Sequence, residues 1–223
     1  MYDQLYSDSH RRVADLVTAL GPAELALNVP ACPLWSVADV LAHLAGASAA
    51  QAEGSDPDAG EPGSEQWTQS QVQARRGRST AEVLAEWDRH APAVEQLPLT
   101  SRSWLPILHD TLSHEADIRG AIGAPQVPAD ALAAAYPLLV PMLTRQLAGL
   151  GIVLLDLDQQ RIELGSGEPD VLVEASRYEF WRAVFGRRSL AQIRGWVRAG
   201  EAAAFAESLP VFVPRDTDLT EPG

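Results

Sequence analysis

The chain has 223 residues, 46% of them apolar, and a formal net charge of −13 at pH 7. That length can bury a sizeable core as one large domain or two small ones. The acidic balance argues against a nucleic-acid partner, which needs a basic face, and against an anionic membrane surface. A single cysteine, Cys32, excludes an internal disulfide and a Cys-rich metal site.

All 17 basic residues are Arg, so pairs such as Arg75-Arg76 read as solvated helix faces rather than phosphate sites. Met1-Tyr2-Asp3-Gln4 opens directly onto an amphipathic segment, with no signal peptide expected. The most apolar run, Val140 to Val153, is interrupted by Arg145 and Gln146 and is too broken to span a membrane. The expected compartment is the cytoplasm.

Leu5, Val13, Leu16, Val17 and Leu20 predict a helix over residues 4–20, ended by Gly21-Pro22. A loop, Ala31-Cys32-Pro33-Leu34-Trp35, leads to Ser36, an N-cap for a helix to about Ala50. Residues 53–64 read as a mobile surface loop by composition. A polar helix follows from about Gln66 to Arg78, and Ser79-Thr80-Ala81-Glu82 resembles a capping box opening a helix to about Val94. Trp104 to Ile122 is a long helix stopped by Gly123 and Pro125, and Pro128 to Ala148 is another. Residues 1–150 thus predict an antiparallel four-helix bundle.

Beyond 150 the periodicity shortens. Ile152–Leu157 and Arg161–Leu164 read as strands about a turn at Asp158-Gln159-Gln160, with Val171–Val173 a third. Helices follow near Tyr178–Phe185, Ser189–Val197 and Glu201–Ser208. The expected fold class is mainly α: the bundle, then a small α/β domain over 151–215 and a loose tail over 216–223. No internal repeat is visible.

The chemistry concentrates in Leu108-His109-Asp110-Thr111-Leu112-Ser113-His114-Glu115-Ala116-Asp117. At roughly 100° per residue, Asp110, His114 and Asp117 share a sector of about 60° beside the apolar stripe. His109 points away from it. A carboxylate and an imidazole at i and i+4 can grip one metal ion. His43, bordering the stripe of Val37, Val40, Leu41 and Leu44, is the best third ligand. Three ligands leave a position open for water or substrate, and Asp117 would then support a ligand or act as general base. The same spacing also fits an ordinary Asp–His ion pair and a hydrogen-bonded core histidine. His10 and His90, on polar helix faces, read as surface residues. Cys32, beside Pro33 with no evident base nearby, reads as a packed loop residue. Trp35, Trp67, Trp104 and Trp181 read as packing residues.

The segment from Cys32 through Trp35-Ser36 to His43-Leu44 resembles the second-helix signature of the DinB-like superfamily. More closely, it resembles the mycothiol-dependent maleylpyruvate isomerase family. His114-Glu115-Ala116-Asp117-Ile118-Arg119-Gly120-Ala121-Ile122-Gly123 is similar to that family's His-x-x-Asp-x-Arg-x-Ala-x-Gly segment, and Tyr178 through Ser189 is similar to its C-terminal domain. The resemblance implies a His/Glu/His metal triad, zinc in the isomerase and nickel an alternative. His43 and His114 match the histidines, and Asp110 stands where the family has Glu, about 1.5 Å shorter in reach. Asp117 matches an acidic residue near the thiol site, and Arg187 an arginine that helps catalysis. The implied partners are mycothiol as co-substrate and a small electrophile, whose carboxylate Arg187 or Arg188 would neutralise. A metal-dependent hydrolase and a non-catalytic metal-binding bundle are the alternatives. Neither the substrate nor the oligomeric state is legible.

Overall fold

The computed structural model describes residues 1–54, 60–61, 63–98 and 100–222. Half of the expected surface loop over 53–64, namely residues 55–59 and 62, lies outside the described residues. The chain divides into two compact units, Met1–Val127 and Pro128–Glu221. No helix among the described residues is long and apolar enough to cross a membrane.

The first unit contains α1 (Tyr2–Thr18), α2 (Pro22–Leu25), β1 (Asn28–Val29), β2 (Cys32–Ser36), α3 (Val37–Glu53), α4 (Glu65–Gln73), α5 (Thr80–Glu95) and α6 (Ser101–Ile122). Helices α1, α3, α5 and α6 form the four-helix bundle, and α4 packs on α3. The expected N-caps are present. Ser36 Oγ accepts from Asp39 N while Asp39 accepts from Ser36 N, and Ser79 and Glu82 do the same for α5. Val13, Val17, Val40, Leu41, Leu44, Trp87, Trp104, Leu108 and Leu112 fill the core. Trp87 Nε1 donates to Tyr6 Oη at 2.8 Å, and Tyr6 donates to Ser48 Oγ at 3.2 Å, linking α5, α1 and α3.

Glu115, fully buried on α6, fixes that helix against α1. It accepts both Arg12 Nε and Nη2 at 2.7 Å, Ser9 Oγ at 2.7 Å and Arg119 Nε at 2.9 Å. Two guanidiniums offset the desolvation of one carboxylate. On α3, Gly46 lets α4 approach closely: a Cβ there would lie 2.3 Å from Gln71 Oε1 and 2.7 Å from Arg75 Nη1.

The expected loop over 31–35 is instead the longer strand of a short antiparallel ribbon, with Asn28 opposite Ser36 and Val29 opposite Cys32. Pro33 within so short a run hides the strand from pattern reading.

The second unit carries a four-stranded sheet in the order β4-β3-β5-β6, where β3 is Val153–Leu157, β4 Gln160–Leu164, β5 Val171–Ala175 and β6 Val197–Ala199. β3 and β5 are parallel, and the other neighbours are antiparallel. Val153, Leu155, Leu157, Val171 and Val173 are buried at alternate positions. The expected β3–β4 turn narrows to Asp158 and Gln159, both left-handed at φ 54° and 66°, which is the type I′ geometry. Helices α9 (Arg177–Val184), α10 (Leu190–Arg194) and α11 (Ala202–Ser208) complete the unit with α7 (Ala129–Ala135) and α8 (Val140–Gln146).

Two expectations change here. The continuous helix over 128–148 is interrupted: a 3-10 turn at Tyr136–Leu138 separates α7 from α8, where Pro137 and Pro141 lack the N–H a helix needs. Both pieces belong to the C-terminal unit, so the units part at 127/128 rather than 150. Tyr136 Oη donates to Arg177 O at 2.8 Å, and Gln146 Nε2 donates to Ser208 O and Leu209 O.

The tail over 216–223 is not loose where it is described. Arg182 and Arg188 are fully buried, and Glu221 binds both: Arg182 Nε at 2.9 Å, Arg182 Nη2 at 2.5 Å and Arg188 Nη2 at 2.9 Å. Glu179 takes the other side of Arg188 at 2.5 and 2.6 Å. Burial pushes the Glu221 carboxyl up, but the two guanidiniums outweigh it and hold the group below its ordinary range. Ser189 Oγ donates to Asp218 and Gln192 Nε2 to Leu219 O, tying down the intervening residues.

Removing one partner of a buried ion cluster leaves uncompensated charge. Glu221→Ala is therefore expected to destabilise the C-terminal unit by about 3–5 kcal/mol, read as a lowered urea midpoint. An unchanged midpoint would show that the tail merely rests on this unit.

Candidate functional site

α6 presents Asp110, His114 and Asp117 along one face, as helical spacing predicts, and α3 brings His43 to the same point. His43 Nε2 lies 3.3 Å from Asp110 Oδ2, and His114 Nε2 lies 3.5 Å from Asp110 Oδ1. The two imidazoles stand edge to face with centroids 4.9 Å apart. The Glu-to-Asp shortening does not prevent convergence, since the Asp110 carboxylate reaches both rings. Burial is graded: the His43 and His114 side chains are 2% and 6% exposed, while that of Asp110 is 40% exposed. The set is thus a recess whose carboxylate forms the rim.

Asp117, only 1% exposed, lies against the Nδ1 edge of His114. Its Oδ2 lies 2.9 Å from His114 Nδ1, an ion-pair distance without hydrogen-bond alignment. A carboxylate at that distance favours a proton on Nδ1 and leaves the Nε2 lone pair on the Asp110 side. Burial holds the His114 imidazole below its ordinary pKa, against the opposing pull of Asp110 and Asp117. The ring therefore stays neutral, the form that ligates metals.

Trp35 and Trp67 wall the recess. The Trp35 ring lies 5.1 Å from His43 and 5.7 Å from His114, and Trp67 meets His43 edge-on at 6.1 Å. Trp35 Nε1 donates to Gln69 Oε1 at 3.3 Å. These tryptophans do pack, as expected, but against the site.

Three histidines lie elsewhere, two not as expected. His90 is buried, with Nε2 2.9 Å from Glu53 Oε1. His10 stacks on Trp87 at 4.2 Å and lies 3.2 Å from Asp88, its side chain only 12% exposed. Neither is a surface residue, because each polar face packs on a neighbouring helix. His109 is fully buried, apart from the three donors.

Cys32 is more than a packed loop residue. Its Sγ donates to Asp117 Oδ2 at 3.2 Å. Its position four residues ahead of the Ser36 cap was the available signal, but only the β1–β2 pairing carries it to α6. Arg187 and Arg188 belong to the other unit. Arg188 is engaged by Glu179 and Glu221 and so serves the fold rather than a substrate. Arg187 is half-buried, with Nη1 donating to Phe185 O at 2.7 Å.

Among the described residues two donor groups could hold a metal ion, His43–Asp110–His114 and Cys32–His114–Asp117, each within 4.8 Å. In the first, separations of 3.3 and 3.5 Å approach the ~3.4 Å between ligands of a tetrahedral ion with bonds of about 2.0–2.1 Å. Two imidazoles and a carboxylate suit zinc or a similar divalent ion, and the partly exposed Asp110 leaves one side of the set open to solvent.

Residues 6–106 match the family described as the mycothiol maleylpyruvate isomerase N-terminal domain. A crystal structure of a histidine-to-alanine variant of the mycothiol-dependent maleylpyruvate isomerase shares the fold. Its TM-score is 0.50 at 13% identity, over 83% of this chain and 88% of that chain. No curated protein matches the chain.

A histidine with a depressed folded pKa binds its proton more readily in the unfolded chain. Stability from neutral His114 is then fully present above the unfolded pKa, about 6.5, and is lost as pH falls through the lower folded value. The expected readout is a nitrogen-detected NMR signature of neutral, Nδ1-protonated His114 persisting below pH 6.5, and its loss in Asp117→Ala. A protonated ring at neutral pH would refute the assignment.

Proposed function

We propose that the chain, whose residues 6–106 match the mycothiol maleylpyruvate isomerase N-terminal domain family, is a divalent-metal-dependent enzyme. It activates a low-molecular-weight thiol, mycothiol by family, for isomerisation of or transfer to a small electrophile. The observation that carries this reading is the convergence of His43, Asp110 and His114 on one recess with an exposed rim. A core histidine or a helical ion pair would account for each contact singly. Two buried imidazoles from different helices around one carboxylate are better accounted for by a shared cation.

His43, Asp110 and His114 would hold the ion, zinc by family. An ion held there would lower the pKa of a thiol bound to it and so supply thiolate near neutral pH. The remaining work falls to the chain. Asp117, 2.9 Å from His114 Nδ1, would bias the ring proton to that nitrogen as a positioning residue. Trp35 and Trp67 exclude water from the inner side of the recess. Asp110, on the rim, is the donor nearest an arriving thiol. Arg187 is assigned, on the family resemblance alone, to pair with a carboxylate on the electrophile.

Protein purified without a nickel column is expected to carry about one divalent ion per chain by elemental analysis, and His43→Ala to lose most of it. Supports around metal ligands are typically worth about 10–100-fold in affinity or activity, so Asp117→Ala should lower thiol-dependent turnover by that order while thiol binding persists. Full metal content in His43→Ala would sink the donor set. A metal-loaded protein that hydrolyses small esters without any thiol would leave the ion and remove the thiol chemistry.

A further inference from the structure

His114 has a carboxylate beside each of its ring nitrogens. On the Nδ1 side, Asp117 Oδ2 lies 2.9 Å away, and the same oxygen is 3.2 Å from Cys32 Sγ. The three side chains offer ligand atoms within 4.8 Å of one another. Asp117 and His114 are 1% and 5% exposed, and Cys32 is half-buried. Thiolate, imidazole and carboxylate together favour a softer ion than two imidazoles and a carboxylate do.

We propose that Cys32, His114 and Asp117 form a second cation site, selective for thiophilic divalent ions such as cadmium, and that filling it empties the His43–Asp110–His114 set. The exclusion follows from the ring itself. A neutral imidazole has a single lone pair in its plane. An ion on Nε2 leaves the proton on Nδ1, on the side that faces Asp117. An ion on Nδ1 moves that proton to Nε2, where Asp110 Oδ1, 3.5 Å away, is the available acceptor. In the second case the Cys32 thiol also gives its proton to solvent, and the imidazole proton only changes nitrogen. Thiolate and Asp117 bring two negative charges to a dication, against one in the first set.

The site itself is independent of the proposed function, and only the exclusion depends on an ion in the first set. Cadmium added to the metal-free full chain should raise a thiolate-to-metal absorption that saturates at about one ion per chain. In zinc-loaded protein, zinc should be released as that absorption grows. His43→Ala should keep the absorption with affinity within about threefold. Asp117→Ala and His114→Ala should each weaken it by about tenfold or more. Asp117→Asn, which preserves shape, serves if the alanine variant does not fold, and is expected to weaken binding in the same direction.

Unchanged cadmium affinity in both the Asp117 and His114 variants would mean that Cys32 binds as a bare thiol and would overturn the site. Zinc and cadmium held together in one chain, with the absorption present, would overturn the exclusion. A wild-type chain that takes no zinc yet shows the full absorption would remove the first set and leave this one standing.

Discussion

The direction of a single lone pair governs the site. Asp117 sits under the Nδ1 edge of His114, and a buried neutral imidazole has no freedom to ignore a carboxylate at 2.9 Å. That contact favours a proton on Nδ1 and leaves the Nε2 side of the ring to Asp110 and His43. Helix spacing alone puts Asp110, His114 and Asp117 on one face. The ring's rotation and tautomer are what turn a shared face into a shared point.

Buried charge is handled in two different ways in this chain. Glu115 is surrounded by Arg12 and Arg119, and Glu221 by Arg182 and Arg188, so each of these carboxylates has guanidinium partners and serves packing. At the recess the groups acting on His114 are the carboxylates of Asp110 and Asp117 and the second imidazole of His43. An arrangement rich in acceptors and lone pairs is what a cation would complete, whereas an arginine cluster is already complete. The same contrast separates Arg188, absorbed by the fold, from the roles a substrate-binding arginine would need.

Much of this was legible in the sequence because it rests on local rules. Ser36 and Ser79 announced their helices through capping boxes, and the i, i+4, i+7 spacing from Asp110 placed three polar side chains correctly. His43 was reachable because it borders the apolar stripe of its own helix. What escaped detection rests on contacts between distant segments. Cys32 meets Asp117 only because a two-residue strand at Asn28–Val29 pairs with β2. Glu221 looked like tail until two buried arginines, 39 and 33 residues earlier, required an anion. His10 and His90 sit on polar faces that other helices happen to cover. The break between α7 and α8 was written in Pro137 and Pro141, but the apolar periodicity around them concealed it.

The graded depth of the three donors sets how an ion would come and go. Asp110 stands at the mouth with 40% of its side chain exposed, and both imidazoles lie beneath it. A hydrated cation arriving there would meet a charged oxygen before either nitrogen, and one leaving would part from that oxygen last. A competing chelator would then find a foothold at the rim without opening the bundle, so this gradation of depth would favour exchange with the surroundings over permanent custody.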